Sequence, residues 1–154
     1  MDLFEQCSIY AGVFLLGIFA GHKMRMPLST LLNLTLKERS KLVLIVRKDL
    51  EMGKGKVISQ CCHGTLANYV RGLKETPKLI KQWESIGQPK VVLKANNLQE
   101  LIQIQKDAAS KGILAILIRD AGKTQISPGT ETVLAVGPDS ISKIDEVTGH
   151  LKLL

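Results

Sequence analysis

Two short segments carry the residue types from which chemistry could be built: Met52-Gly53-Lys54-Gly55-Lys56 and Asp120-Ala121-Gly122-Lys123-Thr124-Gln125. In the first, glycines permit close backbone approach while lysines supply positive charge, just ahead of a segment with helical spacing. A helix opening there would turn its N-terminal amides toward an anion. The segment lacks the Gly-Lys-Ser/Thr of a P-loop, and Ile58 stands where a dinucleotide fingerprint needs its third glycine. Gln60 and His63 follow Lys56 at i+4 and i+7, on one helical stripe roughly opposite the apolar face. A stripe of that kind is more often only a solvated face. In the second segment Asp120 stands at the end of the strand that carries the apolar run Ile113 to Ile118, one residue after Arg119, where a carboxylate costs free energy unless it is paired or hydrogen-bonded. Lys56 or a threonine hydroxyl would satisfy it, and so would a turn in which Asp120 caps its own Ala-Gly backbone. Thr132 reads equally as a site hydroxyl and as a β-former at a strand start.

The order of elements decides whether these groups can meet. Leu42-Val43-Leu44-Ile45-Val46 is a continuous run of β-formers, the mark of a strand buried on both faces. A helix is expected from near Lys56, with Ile58, Cys61, Cys62, Leu66, Tyr69, Val70 and Leu73 on its packed side. Pro77 begins a second helix through Trp83, closed by Gly87 and Pro89. Val91 to Leu93 makes a second strand, Leu98 to Ser110 a helix stopped by Gly112, and Ile113 to Ile118 a third strand. Thr132 to Val136 is a fourth strand, ended by Gly137-Pro138, and a short helix covers Ile141 to Val147. The order β-α-α-β-α-β-β-α predicts an α/β sandwich on a mixed sheet. Ligands bind such sheets beyond the carboxyl ends of parallel strands. With strands one and three parallel, both loops open on one edge, and an antiparallel fourth strand starts beside them. One site then collects Lys56, Asp120, Thr124 and Thr132.

Composition narrows the function classes. The chain has 154 residues, 45% apolar and 23% charged, with a formal net charge of +7. That suits one compact domain with a short extension and excludes a disordered tail or a polytopic membrane protein. Three cysteines, two of them adjacent, give neither a disulfide scaffold nor a Cys-x-x-Cys zinc pair, and a reducing compartment is expected. His22, His63 and His150 lack metal-ligand spacing, no Gly-x-Ser-x-Gly marks a serine nucleophile, and Cys61 and Cys62 fall on the packed side. Tyr69 and Trp83 are too few for a base-stacking platform. Composition changes near residue 40. Ile9 to Ala20 is wholly apolar or glycine, shorter than a full span, and is followed by the basic residues Lys23 and Arg25. Asp2 and Glu5 argue against a secretory signal or a transit peptide. The expected organisation is a hydrophobic anchor and tether over 1–40, with membrane contact through 9–20, and a domain over 41–154.

Across that domain the chain resembles the type 2 peptidyl-tRNA hydrolase family. The resemblance rests on Leu42 to Leu50 and Met52 to Lys56, Gln60-Cys61 with His63, and Gly87 to Val92. It continues through Asp120 to Ile126, Pro128-Gly129, Thr132 to Leu134, Gly137-Pro138, Asp145 and Thr148 to Leu153. It implies a three-layer α/β/α sandwich on a mixed four-stranded sheet. The implied activity is hydrolysis of the ester joining a peptide to the terminal ribose of tRNA, without metal or other cofactor. The family's active-site residues carry over onto Lys56, Gln60, Asp120, Thr124 and Thr132, with His63 in possible support. Cys62 and Gly64 replace the Ser and Ala common at those positions. A water could then be held or activated by Asp120 with help from Thr124, while Lys56 stabilises developing charge. Lys56 as the base is the alternative, and residue types do not choose between them.

Residues 41 to 154 hold 17 Lys and Arg against 11 Asp and Glu, so the positive excess belongs to the domain. Lys48, Lys54, Lys90, Lys94 and Lys123 are expected to flank the mouth and hold tRNA phosphates without reading sequence. Family members associate with mitochondria or cytosol, which places the expected location at the mitochondrial outer surface or in the cytoplasm, the domain facing the cytosol. A tethered interaction protein using the fold without catalysis is the competing reading. The set Lys56, Asp120, Thr124 and Thr132 speaks against it, since a scaffold has no use for a carboxylate at a strand end.

Overall fold

A computed structural model describes residues 39–122 and 127–154. The expected anchor at 9–20, its boundary near residue 40 on the leader side, and both Lys123 and Thr124 lie outside these residues.

Strand β1 (Ser40–Arg47) is the central strand of the sheet. Its five consecutive apolar residues are all buried because helices cover both of its faces. Leu42, Leu44 and Val46 pack with Trp83, Val133 and Ala135 on one side. Val43 and Ile45 pack with Leu101, Ile104, Leu134 and Ile144 on the other. The chain continues as α1 (Lys54–Glu75), α2 (Pro77–Ser85), β2 (Lys90–Ala95), α3 (Leu98–Ser110), β3 (Ala115–Arg119), β4 (Glu131–Ser140), α4 (Ile141–Thr148) and β5 (Lys152–Leu153). The strand order is β3-β4-β1-β2-β5. β1 and β2 are parallel, while β4 lies between β1 and β3 and runs antiparallel to both. β1, β2 and β3 therefore point the same way, and their carboxyl ends share one edge of the sheet.

The α/β class and mixed sheet agree with expectation, but among the described residues the sheet has five strands instead of four. β5 pairs Lys152 and Leu153 with Lys94 and Leu93, a segment too short to leave a periodic signal. β4 does not stop at Gly137-Pro138 either. It runs on to Ser140 because its far end pairs with the start of β1, Ser40 beside Ser140 and Lys41 beside Asp139.

The largest correction concerns α1. It begins at Lys54, and its most buried positions are Gln60, Gly64, Asn68 and Gly72, one every fourth residue. Leu66 is 60% exposed, Val70 49%, and Ile58, Leu73 and Cys62 are exposed as well. Only Cys61 and Tyr69 of the expected apolar face, joined by Val57, pack against the sheet side. Close approach explains the difference. A Cβ on Gly64 would lie 3.2 Å from both Ala135 Cβ and Leu44 Cδ2, tighter than ordinary contact. Asn68 reaches β4 itself, its Nδ2 donating to Ala135 O at 3.0 Å and Gly137 O at 2.7 Å. Small and hydrogen-bonding residues thus let the helix backbone settle where larger apolar side chains would hold it off.

Replacing Gly64 by valine should lift α1 from β4 and lower the unfolding free energy by about 1–3 kcal/mol, the usual cost of overpacking a close contact. Urea unfolding of Gly64→Val measures this, and an unchanged midpoint would show that the approach is not tight.

Candidate active site

Asp120 leaves the end of β3 and is fixed at its own backbone. Its N–H donates to Thr130 O at 2.9 Å, and its carbonyl accepts from Gly129 N–H at 2.7 Å. Gly122 shapes the turn that follows, with φ of +73° and a virtual Cβ 2.3 Å from Pro128 Cγ, so no other residue fits. The carboxylate is 5% exposed, and Lys56 Nζ stands 2.7 Å from its Oδ1. Lys56 comes from the first turn of α1, which contains no acidic residue. Two lysines at a helix N-terminus oppose the helix dipole; the carboxylate of Asp120 offsets that for Lys56. The hydrogen bond from Lys56 holds the Asp120 pKa below its ordinary 3.8 against the upward push of burial, and the amides of Gly122 and Ala121 add to the lowering. Its Oδ2 has no hydrogen-bond partner among the described residues.

A second pair completes the floor. Thr132, fully buried near the start of β4, donates from Oγ1 to Gln60 Oε1 at 2.7 Å, with Ile118 O at 3.2 Å as a second acceptor. Gln60 sits one turn after Lys56 on α1, and Asp120 two residues after Ile118, so two strands and one helix converge on four side chains. His63 is exposed and lines the same groove as Gln60 and Asp120. Among the described residues this arrangement offers an ionised carboxylate, an ammonium and a directed amide at the head of a groove. Burial, with Cys62 beside it, pushes the Cys61 thiol up to about 11, which leaves it unreactive.

Comparison with known proteins adds the family. Residues 40–154 match the family model described as Peptidyl-tRNA hydrolase PTH2. The chain belongs to this family. It is 51% identical over 113 residues to a protein named Peptidyl-tRNA hydrolase 2, mitochondrial, of Mus musculus, covering 73% of this chain and 62% of that protein. The Homo sapiens protein of the same name is 50% identical over 113 residues, covering 73% and 63%. A Peptidyl-tRNA hydrolase of Methanocaldococcus jannaschii is 46% identical over 114 residues, covering 74% of this chain and 99% of that one. The match therefore spans about three-fifths of the mammalian relatives' length and nearly all of the archaeal one.

Against this family framework, the lysines divide. Lys48 and Lys54 are exposed at the carboxyl edge of β1, and half-buried Lys94 lies across from Val46 near the same edge. Lys90 is a correction. It opens β2 beside Leu42, at the opposite end of the sheet, with its ammonium 4.7 Å from the Trp83 ring centroid. Residue types also missed two positioning groups. Arg47 closes β1, bridges to Asp49 through Nε and Nη2 at 3.1 and 2.6 Å, and donates from Nη1 to Glu131 O at 2.8 Å beside Thr132. It carried the same signal as Asp120, a charge ending an apolar strand. Asn68 lies on the stripe of Gln60, two turns on, where a polar residue at that spacing was the available clue.

A carboxylate with a lowered pKa stabilises the fold above its ordinary value, and that contribution disappears as pH falls through the lowered one. Lys56→Met leaves Asp120 buried without its cation, which raises its pKa instead. The stability gap between wild type and Lys56→Met should be small near pH 3 and widen toward pH 6. Unfolding midpoints across that window measure it, and a constant gap would show that the pair is not coupled in this way.

Proposed function

We propose that this chain hydrolyses the ester bond of peptidyl-tRNA, releasing peptide and free tRNA by metal-free attack of water. Membership of the family supports the substrate, and the reading is carried by the Lys56–Asp120 pair, 2.7 Å apart at a strand end next to Gln60 and Thr132. An ester is activated relative to an amide, so a positioned water suffices and no covalent intermediate is needed. In this reading the water hydrogen-bonds to Asp120 Oδ2 and passes its proton there as its oxygen attacks the carbonyl carbon. Thr124 assists in holding it. The oxyanion that forms is stabilised by Lys56 and by the amide of Gln60, whose orientation Thr132 sets. When the carbon–oxygen bond to ribose breaks, the 3′ oxygen leaves as the alcohol, taking a proton by way of Lys56 or Asp120. The depressed pKa of Asp120 makes it a dependable acceptor and a weak base, so its larger share is orientation. His63, on the open side of Gln60, supports bound substrate.

Lys48, Lys54, Lys94 and Lys123 bind phosphates of the tRNA in this reading, and Lys90 takes no part. Residues 9–20 tether the protein to the mitochondrial outer surface with the domain over 41–154 facing the cytosol. Support comes from the apolar leader, the basic residues behind it and the mitochondrial names of the mouse and human relatives. Among the described residues no helix is long and apolar enough to cross a membrane.

Ester release from a purified peptidyl-tRNA by the full chain tests the activity. Asp120→Asn and Lys56→Ala should each lower kcat by about a hundredfold or more, the usual loss when a transition-state contact is removed. Normal turnover by both variants would refute the assignment. The same assay at rising salt should show kcat/KM falling steeply, as phosphate contacts demand, and a flat response would remove the lysines from the account.

A further inference from the structure

The exposed apolar side of α1 does not face open solvent alone. Leu66, Ala67 and Val70 look across a groove of about 780 Å³ at Ile116 and Ile118 of β3, while the Leu117 side chain between them packs on the other face of the sheet. One end of this groove is bounded by Gln60, His63 and Asp120, the other by Arg71, Lys74 and Glu75. β3 is also the outermost strand of the sheet, paired only with β4 among the described residues. Its outer edge therefore presents backbone N–H and C=O groups that no neighbouring strand takes.

We propose that this groove is the binding site for the peptide moiety of the substrate, which lies extended against the edge of β3 with its C-terminal carbonyl at Asp120. The inference rests on the hydrolase reading, and three observations choose the occupant. First, the groove runs continuously from the reacting groups. The acyl side of the scissile ester must leave the site along some surface, and this one starts at Gln60 and Asp120. Second, the recognition it offers suits a ligand of varying sequence. Main-chain hydrogen bonds to a strand edge do not depend on side chains, and an aliphatic wall accepts many of them. Third, the length fits an oligopeptide. The helix rises about 22 Å from Gln60 to Glu75, which accommodates roughly six extended residues. The tRNA approaches from the opposite direction, over Lys48 and Lys54, so the two halves of the substrate do not compete for surface.

The test compares two substrates on the full chain, an N-acetyl-aminoacyl-tRNA and a hexapeptidyl-tRNA, and reads the ratio of their kcat/KM values. The ratio is internal to each preparation, so a misfolded fraction cancels. Wild type should prefer the hexapeptidyl substrate, with the preference growing with peptide length and levelling at about six residues. Leu66→Asp combined with Val70→Asp should reduce that ratio about tenfold, and Val70→Lys alone should move it in the same direction. Leu73→Asp, exposed on α1 and outside the groove, should leave the ratio as it is. A ratio unchanged in the groove variants would overturn the proposal. So would a gain on both substrates, which would mean that the groove normally holds another part of the chain or a second copy. If wild type cleaves neither substrate, the hydrolase reading fails, and this inference fails with it. Cleavage of both at equal efficiency refutes the groove alone.

Discussion

A carboxylate enclosed at the end of an edge strand must be compensated, and in this molecule the compensation comes from a distant helix. Asp120 is 64 residues from Lys56, and its side chain is almost wholly enclosed when the ammonium reaches it. An unpaired charge in that position would take up a proton instead of remaining ionised. The pair thus constrains more than itself: α1 must begin at the carboxyl edge of β1, and it must lie close enough to the sheet for a lysine of its first turn to span the gap. Gly64 and Asn68 answer that requirement along the helix, and the backbone clamp of Thr130 and Gly129 on Asp120 answers it from the strand. Gln60 then arrives opposite Thr132 without further adjustment.

Local rules are broken in α1 and kept elsewhere. It carries cations in its first turn, no side-chain cap, glycines in its interior, a buried stripe that is half polar, and leucines turned outward. α3 is the contrast. Asn97 caps it by accepting from Glu100 N–H at 3.0 Å, Glu100 reaches back to Asn96 N–H at 2.6 Å, and its buried residues are Leu101, Ile104 and Ala108. A sequence under selection for folding alone resembles α3. Departures of this kind, gathered on the helix that carries Lys56 and Gln60, are expected where stability is traded for a site.

That contrast explains what could be read without coordinates. The bounds of α3, the start of α2 at Pro77 and the central strand β1 all follow from caps, proline and unbroken apolar runs. The meeting of Lys56 with Asp120 was legible too, because strand direction and the cost of a lone carboxylate both pointed to it. The packed face of α1 departs from its apolar periodicity, which places leucine and valine in the interior, because glycine and hydrogen-bonding asparagine approach the sheet more closely. The continuation of β4 depends on pairing with Ser40 and Lys41, a tertiary fact with no local trace. Lys90 stands at the amino end of β2, away from Lys56 and Asp120, and a lysine's charge carries no trace of which end of a strand it occupies.

Lys56 and Asp120, 2.7 Å apart, are expected to act as one unit in turnover. A double-mutant cycle on kcat, with Lys56→Met, Asp120→Asn and the pair combined, tests it most directly. The double variant should lose no more than the worse single variant, because either change dissolves the same arrangement. Losses that multiply would show two independent contributions and contradict it.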